Sequence, residues 1–177
     1  MKLISKILFC FTLFTQLGYS QTKSVGVNIA LLSAGILNTE LSVGVKSRLS
    51  IHLPLTWSGF VVSNDFSLKN YSVSPGVRFW SWHIYSGFFA GTNLGFANYN
   101  AVINKRRYCG NTFFTSISAG YSKMVTQKLN IEGEFGLGAF GVWQDVFESG
   151  KCGEFLRYSE KVAILPSKIS ISLIYIL

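Results

Sequence analysis

Four charged residues stand in stretches whose neighbours alternate between polar and apolar: Glu40 in "NTELSVGV", Arg78 in "PGVRFW", and Glu132 and Glu134 in "LNIEGEFGLGAF". Carboxylates two apart on a strand share a face, and such a pair beside an arginine can do acid–base work or pass a proton. The same four residues can equally form a buried ion-pair network, because charges taken out of water must be paired. The network is the expected reading. Apart from Cys10 near the amino terminus, the cysteines are Cys109 and Cys152, which allow one disulfide. Both fall in segments read as surface loops, and a bridge would restrain those loops by roughly 3–4 kcal/mol in the chain-entropy account. Two thiols without a nearby histidine are not expected to hold a metal. His52 lies on the polar face of "LSIHLPLTW" and His83 in the short "SWHIY" stretch. Neither is placed for a Ser/His pair at a lipid surface, so no catalytic residue and no cofactor are expected. Lys105, Arg106 and Arg107 in "NKRRY" form the densest basic run. They are candidate contacts for lipopolysaccharide phosphates or another acidic surface ligand, through local positive charge.

Alternating segments must position these residues. "SVGVNIALL", "LNTELSVGV", "LSIHLPLTW", "YSVSPGVRFW", "GFFAGTNLGF", "TFFTSISAGYS", "LNIEGEFGLGAF" and the final "KISISLIYIL" each place apolar side chains on one face. The other face carries mainly Gly, Ser and Asn. Period-two patterning is the strand signal. No helix, linker or second domain is expected. The connections alternate in length: short near 46–48, 81–85 and 124–128, and long near 58–70, 97–111 and 141–166, with a brief one around 33–36. An even number of strands with short turns at one end and longer loops at the other reads as all-β, an eight-stranded antiparallel up-and-down transmembrane β-barrel.

Residues 1–20 read as a cleavable export signal: Lys2 and Lys6, an apolar "ILFCFTLF", then Gly18 and Ser20 before Gln21. The barrel domain is then 21–177, and the formal charge falls from +8 to +6 on removal of the two lysines. A soluble barrel with the apolar face inside is the competing architecture. It would crowd phenylalanines into the centre and cover the outside with glycine and serine. With the apolar face outward, small residues suit the cramped interior of eight strands. Arg78 also escapes the ~2–4 kcal/mol cost of facing mid-bilayer lipid. Trp80, Trp82 and Tyr85 at one short turn, and Trp57, Tyr71, Phe96, Tyr99, Phe113 and Trp143 near the other end, are read as interfacial girdles. The tail closes the ring against the first strand, and its alternate apolar residues are similar to the signal read by the bacterial barrel-assembly machinery.

"PSKISISLIYIL", "KCGE", "PGVRFW" and "NTELSVGVKSRLSI" together resemble the domain-of-unknown-function family 3575, small outer-membrane barrels of Gram-negative bacteria. Members carry a glutamate after the mid-chain proline, where this chain has Gly76, and often a cysteine where it has Ser149. The resemblance implies fold and an outer-membrane location, and no activity. The expected function is therefore a non-enzymatic structural or surface-interaction barrel, with outer-membrane lipid, lipopolysaccharide and the assembly machinery as partners and no role for nucleic acid. A narrow pore for small solutes or ions is the alternative.

Overall fold

The structure, a computed structural model, describes residues 23–63, 66–103, 106–148 and 155–177. Nine strands form one antiparallel sheet: β1 (Lys23–Asn28), β2 (Leu37–Lys46), β3 (Leu49–Ser63), β4 (Phe66–Val73), β5 (Gly76–Trp80), β6 (Gly87–Ile103), β7 (Arg106–Thr126), β8 (Leu129–Glu148) and β9 (Phe155–Ile176). They occupy eight places in a closed ring. β4 and β5 share one place, since both pair with β3 on one side and β6 on the other. The break falls at Ser74 and Pro75, where a residue without an N–H interrupts the ladder. The Pro75 carbonyl still accepts from the Leu94 amide at 3.0 Å.

Closure is made by the tail. β9 pairs with β8 along its length and with β1 from Ser172 to Ile176, Val25 facing Tyr175. The last amide, that of Leu177, donates to the Lys23 carbonyl at 2.9 Å. Closing a sheet on itself removes the edges that would otherwise recruit other strands. Above Ser172 the edge of β9 away from β8 has no strand partner among the described residues, and that stretch carries Pro166 and the charges of Arg157 and Lys161. Those are features that blunt a free edge.

Three sequence expectations change. The first strand, expected over 24–32, ends at Asn28, and a one-turn helix α1 (Ile29–Ser33) follows. Asn28 causes the switch, because its side chain accepts from the amides of Ala30 and Leu31 and so caps the turn. The segments expected as long loops are mostly strand: β6 and β7 stay in register from Gly87–Ser122 up to Ile103–Arg106. Alternation fades there, with Ala101 and Val102 both buried although they are neighbours in β6, while the ladder continues. Trp80 and Tyr85, expected at the membrane interface, are 0% and 2% exposed, inside the ring. Of that cluster only Trp82 faces out, at 69%. Tyr99 likewise turns inward and donates to Gln144 Oε1 at 2.7 Å.

The two faces differ sharply. Outward, Leu94, Ile117, Phe135, Ile169 and Ile171 are exposed. They lie between one aromatic row, with Phe96 4.9 Å from Phe113 and Phe113 6.1 Å from Trp143, and another where Phe88 meets Tyr121 at 4.8 Å. Phe113 and Tyr121 are about 27 Å apart along β7 at ~3.4 Å per residue, or about 21 Å along the ring axis at a ~40° tilt. Inward lie Ser42, Ser50, Asn93, Ser116, Ser122, Asn130 and Ser170, all buried. Among the described residues no helix is long and apolar enough to cross a membrane, which says nothing of strands.

Candidate functional site

Period-two alternation sends Glu40 on β2, Arg78 on β5 and Glu132 with Glu134 on β8 to the interior, and the ring brings them together. Arg78 lies 2% exposed at the centre. Its Nη1 is 2.7 Å from Glu40 Oε1 and 3.3 Å from Glu132 Oε2, and its Nη2 donates to Glu134 Oε2 at 2.7 Å. Lys168 on β9 completes the cluster, with Nζ 2.9 Å from Glu40 Oε2 and 2.8 Å from Glu134 Oε2. Lys168 was absent from the four-residue network read in the sequence, although it shares the polar face of the closing strand with Ser170 and Ser172. The cluster therefore ties β2 and β5 to the consecutive pair β8 and β9 across the ring. Gly91 makes room for it, since a Cβ there would press on the Arg78 side chain at 3.2 Å.

Below the cluster, toward the short turns, the ring is filled by rings. Trp80 packs against Phe89 at 4.7 Å and Tyr85 at 5.7 Å between centroids. The guanidinium of Arg78 sits 4.7 Å over Phe89, close enough for a cation–π contribution. Trp80 Nε1 donates to Ser50 Oγ at 2.9 Å. Tyr85 is delivered by a backbone φ of 63°, a left-handed conformation rare outside glycine. Its carbonyl is held by Asn130 Nδ2 at 2.6 Å and Ser122 Oγ at 3.1 Å. His52, 1% exposed, shares a 2.7 Å hydrogen bond with Asn93 Oδ1. His83 is exposed in the 81–86 connection.

The remaining sequence candidates are scattered. Lys105 and Cys152 lie outside the described residues. Arg106 and Arg107 are exposed, but they open β7 instead of lying in a loop, because the ladder runs on to Ile103 and Glu148. Adjacent residues of a strand point to opposite faces, so the two arginines do not form one anion cradle. Cys109 also stands on β7, paired with Asn100 and Asp145, and forms no disulfide among the described residues; its expected partner, Cys152, lies outside them. Among the described residues no group of three metal-ligating side chains is assembled.

The family described as "Protein of unknown function (DUF3575)" matches residues 6–177, essentially the whole chain. This chain belongs to that family. No curated protein and no solved structure matches it. In this DUF3575 chain Gly76, at the place where the resemblance has glutamate, is packed so that a Cβ would overlap the Asn93 side chain and the Thr92 carbonyl. A larger residue there would displace the partner of His52.

The cluster's count sets one test. Three carboxylates face two cations, and Glu132 makes the longest contact with Arg78. Glu132→Gln keeps the shape and brings the formal charges into balance. Its unfolding free energy is expected to stay within about 1 kcal/mol of the parent, whereas Glu134→Gln, which touches both cations, loses about 3 kcal/mol. Urea unfolding in detergent micelles reads both, and equal losses would show that the cluster is not balanced in this way.

Proposed function

We propose that this DUF3575 protein is an eight-stranded outer-membrane β-barrel without enzymatic activity. In this reading it is exported through a cleaved signal at 1–20, folded by the barrel-assembly machinery through its closing strand, and closed to solute flow. Its role is structural or interactive, through the long strands and connections at the end away from the short turns. One observation carries the reading: an apolar outer face lies between two aromatic rows, while the five ion-paired charges of the cluster lie inside. The ~21 Å between those rows compares with the ~25 Å apolar band of outer-membrane barrels. Above the upper row Lys69 and Arg107 are exposed, and lipopolysaccharide phosphates are the partner that suits them. The interior argues against the narrow pore, because ion pairs and aromatic rings fill successive levels of a ring only wide enough for its own side chains.

Ile117, 70% exposed midway between the rows, supplies the test. Ile117→Arg is expected to cost about 2–4 kcal/mol and to cut membrane insertion, as arginine does on a lipid face. Ser118→Thr on the inner face serves as a control for local packing. The readout is the outer-membrane band and its change in gel mobility on boiling. A variant as stable as the parent, found in the soluble periplasmic fraction, would reverse the assignment of faces.

A further inference from the structure

Above the charge cluster, on the side of the long connections, the interior holds a cavity of about 190 Å³. Glu40 and Lys168 reach it from the cluster, Thr56, Ser72 and Ser116 line it, and Phe114 stands at one side. At ~30 Å³ per water the space equals about six waters, the scale of a single sugar ring. We infer that this cavity binds a small, neutral, hydroxyl-rich solute of monosaccharide size.

The charges decide the class. The cluster beneath is formally negative, three carboxylates against two cations, and repels an anion. Glu40 has one oxygen on Arg78 and the other on Lys168, so an entering cation meets an ammonium instead of a free carboxylate. A neutral ligand avoids both conflicts. Lys168 has three N–H donors; two point at Glu40 and Glu134, which leaves one for a ligand oxygen. Ser167 Oγ, also on the lining, has no hydrogen-bond partner among the described residues. Wall hydroxyls both donate and accept, matching the same groups on a polyol. Phe114, stacked on Phe140 at 5.0 Å, gives the C–H face of a ring an apolar surface.

The mouth supplies a second, independent observation. Asn28 and Asn38 lock together, the Asn28 amide donating to Asn38 Oδ1 at 2.6 Å and Asn38 Nδ2 to the Asn28 carbonyl at 3.0 Å. That lock, with the Asn28 cap, fixes α1. The helix buries no residue fully, and its half-buried Leu31 lines the cavity. The turn's evident product is a leucine at the cavity wall.

Calorimetric titration of the detergent-purified protein with D-glucose, choline chloride and sodium acetate tests the inference. Glucose is expected to bind in the millimolar range and the two charged probes not at all. Ser116→Met, which fills the cavity, and Thr56→Val, which removes a wall hydroxyl at constant shape, are expected to weaken glucose binding, the first by about tenfold or more. Retained heat-dependent gel mobility marks a folded variant and separates loss of the site from loss of the barrel. Absence of glucose binding, preference for choline or acetate, or binding unchanged in either folded variant would overturn it.

Discussion

Arg78→Met is expected to destabilise this protein by about 3–5 kcal/mol, the usual cost of removing one partner from a buried ion pair. The direction follows from the count. Without the guanidinium, Glu40, Glu132 and Glu134 share a buried space with Lys168 as their one remaining cation in the cluster. Glu132 then loses the cationic contact the structure gives it, at 3.3 Å from Nη1. Methionine keeps much of the stem that lies over Gly91, so the loss reports charge more than packing. The triple replacement Arg78→Met with Glu132→Gln and Glu134→Gln should recover a good part of it, since it leaves Glu40 paired with Lys168 and removes the carboxylates that would lack a cation. Denaturant unfolding in micelles, followed by tryptophan fluorescence, measures each step. A single replacement as stable as the parent would mean that the cluster contributes little, and a triple variant worse than the single would show that the interior needs the charges themselves.

How far this interior was legible beforehand depends on where the two faces differ in polarity. Alternation told where Glu40, Arg78, Glu132 and Glu134 point, because between the aromatic rows one face is apolar and the other polar. It could not assign Lys168 to their level. That depends on the pairing of Lys168 with Gly136 and on the register shift just above it, and pairing register is a property of two strands. Tyr85 escaped for another reason: its inward direction comes from one left-handed residue in a connection, where no periodicity exists. Beyond Phe96 and Phe113 the strands run on through Asn98, Asn100 and Tyr108 with mixed faces, so the strand extensions were read as loops. α1 was hidden in an apolar run, and the capping Asn28 was the available signal for it. The charges were thus visible as a set, while their fifth member and the aromatic floor beneath them required the folded ring.

That floor is the second place where a single change should matter most. Trp80→Ala is expected to cost about 3–5 kcal/mol, the range for deleting a large buried aromatic. The side chain is fully buried and touches both Phe89 and Tyr85, and partly buried Ile84 and Ile176 pack against the same group. Ile176 belongs to the closing strand, so the cavity left behind would loosen the seam where β9 meets β1 as well as the floor itself. Trp82→Ala, two residues on and exposed, should change stability by less than about 1 kcal/mol, which isolates burial from residue type. Equal losses for the two variants would contradict the inward placement of Trp80. Conductance across a planar bilayer then separates the two levels of closure. With Trp80 removed, Arg78 and its carboxylates still span the interior, and no steady current is expected from either Trp80→Ala or the parent. A current in the Trp80 variant alone would assign the seal to the aromatic floor. A current in the parent would restore the narrow pore as the reading of this ring.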